Sequence, residues 1–142
     1  MIIPDINLLV YAYNSDAPDH RKARIWWEDA LSASQPVALP WVVPLGFLRI
    51  MSSRRILVAP LTMAEAITHV HSWLEQPQTR IIHPGPRHLD RVQDLAMRLG
   101  MTGEMTTDLH LAALAIEYQA ELHSNDADFS RFPGLRWINP LR

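Results

Sequence analysis

Short apolar runs alternate along the chain with longer stretches in which apolar residues return every three or four positions. Ile2-Ile3 reads as a first strand, and Asp5, Leu8, Leu9 and Ala12 then fall on one helical face. Asp16-Ala-Pro-Asp19 is a loop, and the next helix carries Ala23, Trp26, Trp27, Ala30 and Leu31 on one side. Val37-Ala38-Leu39 predicts a second strand stopped by Pro40, and Trp41 to Met51 a helix with Pro44 in its first turn. Thr62-Met-Ala-Glu65 is a capping box, opening a helix whose Met63, Ala66, Ile67, Val70 and Leu74 are expected to face inward. Arg80 to His83 is a third strand, Pro84-Gly85-Pro86 a turn, and Leu89, Val92, Ala96 and Leu99 mark another helix. After a loop from Gly100 to Glu104, the helix from Asp108 shows Leu111, Ala112 and Ala115 on the face of the acid. Glu121 to His123 and Arg136 to Ile138 are strands four and five. The alternation predicts an α/β fold, three layers α/β/α, with a parallel sheet of about five strands. With no repeat, linker or low-complexity tract, residues 1–142 are expected to form one domain.

Composition narrows the chemistry. Apolar residues make up 48% and charged residues 20%, ordinary values for a globular protein. The absence of cysteine removes disulfides, thiolate metal sites and thiol nucleophiles. A net charge of −2 leaves no globally basic surface, so any nucleic-acid contact needs a local patch of Lys or Arg. No apolar run is long enough to span a bilayer, so no membrane partner is expected. The apolar N-terminus has no basic leader and is interrupted by Pro4, Asp5 and Asn7; it is expected to be a core strand, and the protein cytoplasmic. Five Trp and six Met are many for this length and serve either the core or a partner surface.

Three acids stand where chemistry is expected. Asp5 and Asp126 directly follow strands one and four, and Asp108 opens the helix leading into strand four. Ligands of open parallel sheets bind beyond the carboxyl ends of the strands, so these acids are expected at one end of the sheet. Two carboxylates about 4 Å apart repel by about 4 kcal/mol at an effective dielectric of 20. A fold keeps such a cluster chiefly where a hard divalent cation neutralises it. Each acid alone has a plainer reading: Asp5 as a helix cap, Asp108 as a first-turn acid facing the helix dipole, Asp126 and Asp128 as turn residues. Asp108, however, heads an inward apolar stripe, and an acid aimed inward needs a partner. The seven His are scattered; His69 and His71 do not share a helical face, and no serine has a nucleophile-elbow context. An oxygen-only set selects Mg²⁺ or Mn²⁺ over zinc.

Four stretches carry a family resemblance. They are Pro4-Asp-Ile-Asn-Leu-Leu-Val-Tyr-Ala12, Trp41 to Arg49, Thr107-Asp-Leu-His-Leu-Ala-Ala-Leu-Ala-Ile-Glu117, and Ser124-Asn-Asp-Ala-Asp-Phe-Ser-Arg-Phe-Pro-Gly-Leu-Arg-Trp137. Over nearly its whole length the chain resembles a PIN-domain ribonuclease, of the VapC type that forms the toxin of a type II toxin–antitoxin pair. The resemblance implies a Mg²⁺-dependent endoribonuclease that hydrolyses RNA phosphodiester bonds with metal-activated water, leaving a 3′-hydroxyl and a 5′-phosphate. It implies Asp5, Asp108 and Asp126 as the catalytic acids and metal ligands, with Asn7 orienting the first carboxylate and Asp128 adding charge. Asn7 also reads as ordinary first-turn placement, and Phe129 beside Asp128 as core. One departure stands out: many members carry a glutamate where this chain has Gly46, just before Phe47-Leu48-Arg49. The loss points to one protein-bound ion, with a second recruited by substrate phosphate. Glu104, one turn before Asp108, is a candidate replacement or an exposed loop acid.

The resemblance further implies a cognate antitoxin and a homodimer. Trp26, Trp27, Phe47 and Met51 are candidates for the antitoxin groove or for the core. Arg49, Arg54 and Arg55 are candidate RNA contacts or a solvated loop, and unpaired RNA is the expected target. A catalytically weak PIN domain that binds RNA or protein without cutting is the alternative, and Gly46 supports it.

Overall fold

A computed structural model describes residues 1–142. Five short parallel strands form one sheet in the order β3-β2-β1-β4-β5. They are β1 (Ile2–Pro4), β2 (Val37–Pro40), β3 (Thr79–Ile82), β4 (Glu121–His123) and β5 (Arg136–Ile138). β1 lies at the centre, and every residue of β1 and β2 is buried, as expected of strands covered on both faces. Six helices complete the three-layer α/β/α architecture: α1 (Ile6–Tyr13), α2 (His20–Ser32), α3 (Val42–Met51), α4 (Met63–Leu74), α5 (His88–Leu99) and α6 (Thr106–Glu117). α1 packs on α2 and α3, α3 on α4, and α5 on α6.

The capping box forms as the sequence predicts: Glu65 N–H donates to the Thr62 hydroxyl, and Thr62 N–H to the Glu65 carboxylate. Pro44 sits in the first turn of α3, where helix N–H groups lack intrahelical partners and its missing donor costs nothing. Two inward faces differ from expectation. On α4 the buried residues are Ala66, Val70 and Trp73, while Met63 and Ile67 are 49% and 39% exposed. Trp73 wins the inward position because its ring fills the space between Trp27, Phe47 and Tyr13, and its indole N–H donates to the Tyr13 hydroxyl at 2.8 Å. On α5 Leu89 is 77% exposed, and Leu95 is the residue that reaches the core. The same aromatic cluster settles Trp27, Phe47 and Met51 as core, each at most 2% exposed. Trp26 is half-buried, its indole donating to His123 Nδ1.

The register places the acids. Pro4 of β1 pairs with His123 of β4, so the two strands end side by side. The next residues therefore leave the sheet together, and Asp5 N–H donates to the His123 carbonyl at 2.8 Å. The chain runs from β1 outward through β2 to β3 on one side, then crosses back to β4 and β5 on the other side of β1. This is the switch point at which open α/β sheets bind ligands.

Candidate active site

Asp5 occupies the N-cap position of α1, but its side chain makes no capping hydrogen bond. It is 7% exposed, and one of its oxygens accepts the Ser124 hydroxyl at 2.7 Å. Ser124 is fully buried; its oxygen in turn accepts Asp126 N–H at 3.0 Å. One hydroxyl thus ties the acid after β1 to the loop after β4. Sequence reasoning set Ser124 aside because it looked only for a nucleophile. The recoverable signal was a small hydroxyl residue ending a strand two positions before an acid, the spacing of a local side-chain turn. Asn7, expected to orient Asp5, is exposed and forms no hydrogen bond with it; Ser124 performs that role.

Asp108 lies in the first turn of α6, partly buried, above the fully buried Leu111, Ala112 and Ala115. Burial raises its pKa to about 6, with the charges of Asp5, Asp126 and Asp128 adding to the rise. Burial also raises Asp5; the Ser124 hydroxyl pulls it back, and the Asp126 charge pushes it up. Four carboxylates from the ends of β1 and β4 and the start of α6 therefore share one field. Asp126 also caps the short 3-10 helix Ala127–Arg131, accepting Asp128 N–H at 2.9 Å, so its turn role and its place in the acid group coexist. Phe129 is core, 1% exposed.

No three Asp, Glu or His side chains converge tightly enough to form a closed ion cage. The acids form a loose group, as like charges dictate. The donors are all oxygen, which fits Mg²⁺ or Mn²⁺. Glu104 is exposed and is not among the charges that raise Asp108. Arg49, Arg54 and Arg55 are exposed at the end of α3 and in the loop beyond it.

Gly46 has a physical explanation. A Cβ there would stand 2.6 Å from Ile6 Cδ1 and 3.1 Å from Ile6 Cγ1. Ile6 follows Asp5 and is 8% exposed, so a side chain at position 46 would have to displace the end of the Ile6 side chain. Gly46 thus lets α3 pack closely against the first helix.

Fold and site together define a three-layer α/β/α domain with a carboxylate group at the switch point of its sheet. The PIN domain family model matches residues 2–135. Ribonuclease VapC33 of Mycobacterium tuberculosis is 49% identical over 142 residues, covering 100% of this chain and 99% of the relative. The structure of VapBC2 from Rickettsia felis, bound to a promoter DNA fragment, superposes with a TM-score of 0.70 at 20% identity, covering 98% of each chain. Mycobacterium tuberculosis VapC20, described as a sarcin-ricin loop cleaving toxin, superposes at 0.68 with 16% identity, over 96% of this chain and 99% of that one. The chain belongs to the PIN-domain family, in its VapC ribonuclease branch. No helix is long and apolar enough to cross a membrane.

Proposed function

We propose that this protein is a Mg²⁺-dependent endoribonuclease, the toxin of a toxin–antitoxin pair, acting as one domain in the cytoplasm. The observation that carries the reading is the shared field of Asp5, Asp108, Asp126 and Asp128 at the sheet's switch point. That arrangement is unfavourable in a protein with no cation to hold, and it agrees with the ribonuclease name of a relative at 49% identity. Asp5, Asp108 and Asp126 would hold the ion. The cation supplies charge neutralisation at the scissile phosphate and lowers the pKa of water. Ser124 fixes one oxygen of the Asp5 carboxylate. Water oxygen attacks phosphorus, the bond to the 3′-oxygen breaks, and that oxygen takes a proton, leaving a 3′-hydroxyl and a 5′-phosphate. With Gly46 in place of a carboxylate, the chain itself would supply donors for one ion, and substrate phosphate would complete a second site. A cognate antitoxin holds the enzyme inactive, and two copies form a homodimer; the exposed Trp41 and Leu45 of the α3 start offer apolar surface to either.

The missing carboxylate at Gly46 supports a second reading, a PIN domain that binds RNA without cutting. Cleavage of cellular RNA by purified protein, freed of any partner, separates the two. Metal-dependent cuts that vanish in Asp5→Asn and Asp108→Asn support the enzyme. RNA binding with no cuts in Mg²⁺ or Mn²⁺ supports the second reading.

A further inference from the structure

The face of α5 and α6 carries a basic trough that the hydrolytic chemistry does not use. Its central cleft, about 340 Å³, lies between the two helices and the Pro133-Gly134 turn. Leu95, Ala113 and Ile116 form an apolar floor, and Arg91 and Arg98 stand at its edge. A second depression continues it past Arg91 to Arg87, and a third continues it past Ile116 and Gly134 to Arg136.

Helical spacing puts Arg87, Arg91 and Arg98 on one side of α5, spread over about 16 Å of its axis. Arg87 and Arg91 enter none of the chain's ion pairs. Arg98 is held at 3.0 Å by the exposed Asp94. Four arginines against Asp90 and Asp94 give the trough a net charge of +2, on a chain whose total is −2. Positive charge is therefore gathered here, away from the acids. The trough is close to them all the same: Ala113 and Ile116 lie about 8 and 12 Å beyond Asp108 along the axis of α6.

We propose that this trough binds the unpaired RNA strand that flanks the scissile phosphate. The proposal rests on the ribonuclease reading above and adds the path of the substrate. Guanidinium groups in a row take successive phosphates, each with a planar fork of donors. Ile116 and the ring of Pro133 offer apolar surface to base faces, whatever their sequence. Arg87 and Arg91 are free of ion pairs, while Arg98 is paired with Asp94 and Arg136 donates to the Gln119 carbonyl; arginines spaced along a narrow groove suit a regularly charged polymer better than a side-chain mosaic.

The test is binding of a fluorescent unpaired oligoribonucleotide, measured with chelator present and at several salt concentrations. Arg91→Ala/Arg98→Ala is compared with wild type and with Arg21→Ala/Lys22→Ala, an equal charge loss on α2. All four positions are exposed, and unchanged thermal midpoints verify folding. The trough variant is expected to bind about tenfold more weakly, with a salt slope shallower by about 1.4, since each single-strand phosphate contact contributes about 0.7. The α2 variant is expected to keep the wild-type slope. Photocrosslinking from thiouridine-containing RNA is expected in the peptides holding Ile116 and Pro133. Equal affinity and slope in the trough variant would overturn the proposal. If Asp108→Asn still abolished cleavage, the nuclease would stand and only the path would fail. Unchanged RNA binding with loss of a copurifying protein would reassign the trough to a protein partner and also overturn it.

Discussion

Replacing Ser124 by alanine removes one oxygen atom from the centre of the site and tests how the acids are held. The hydroxyl donates to the buried Asp5 carboxylate at 2.7 Å and accepts Asp126 N–H at 3.0 Å. A hydrogen bond to a charged group contributes about 1.5–3 kcal/mol. The Asp126 amide is near solvent and adds about 1 kcal/mol when it loses its acceptor. The expected loss with Asp5 ionised is therefore about 2.5–4 kcal/mol. Below the titration of Asp5 the carboxyl is neutral, and the same bond is worth only about 1 kcal/mol. The variant must then be hurt less at pH 4 than at pH 8. Ser124 lowers the Asp5 pKa, so its removal raises that pKa further. The acid limb of metal-dependent cleavage then moves to higher pH. Urea unfolding with chelator at both pH values measures the first effect, and a pH–rate profile the second. Equal destabilisation at the two pH values, or an unmoved acid limb, would refute the claim that Ser124 stabilises the ionised Asp5.

Three further outcomes follow from the same geometry. Asp108 has a folded pKa of about 6 against an ordinary value of 3.8, so the folded state holds a proton that the unfolded chain releases. The Asp108 contribution to metal-free stability is thus fully present below about pH 4 and is lost as pH rises through 6; Asp108→Asn removes that component from a series of thermal melts, and an unchanged pH dependence would count against it. Gly46→Ala gains about 1 kcal/mol of helix propensity but drives a Cβ to 2.6 Å from Ile6, at an overpacking cost of about 1–3 kcal/mol. Combining it with Ile6→Val, which removes the contacting methyl, should recover stability beyond additivity in a double-mutant cycle; strict additivity would mean that Ile6 does not close the position. Tyr13→Phe strands the Trp73 indole N–H in the core and is expected to cost about 1–3 kcal/mol in urea unfolding, with a loss under about 0.5 kcal/mol pointing to an idle bond.

Much of the fold was legible because its signals are local. The period-3.6 stripes, the Thr62 capping box and the short buried runs each report one element, and their alternation reports the parallel sheet. Asp5, Asp108 and Asp126 were legible as a group because strand ends and helix starts are topologically bound to the sheet edge. What failed depended on side chains meeting across the fold. The inward face of α4 was misjudged because Trp73 competes with Met63 and Ile67 for a pocket made by other helices. The spacing that marks α5 includes Leu89, yet Leu89 is 77% exposed and Leu95 takes the core contact. Ser124 was missed because its partner is 119 residues away in sequence. Gly46 was visible as a departure, but its cause, the Ile6 side chain, is visible only in three dimensions.

The central claim is that the carboxylates after β1 and β4 and at the start of α6 hold a divalent cation. Anomalous scattering from a crystal grown with Mn²⁺ tests it directly. The account predicts a peak within about 2.0–2.3 Å of oxygens from Asp5 and Asp108, lost in Asp108→Asn. A peak instead at the His88–His110 imidazole pair, whose ring nitrogens stand 2.8 Å apart on α5 and α6, or no bound ion at saturating Mn²⁺, would contradict it.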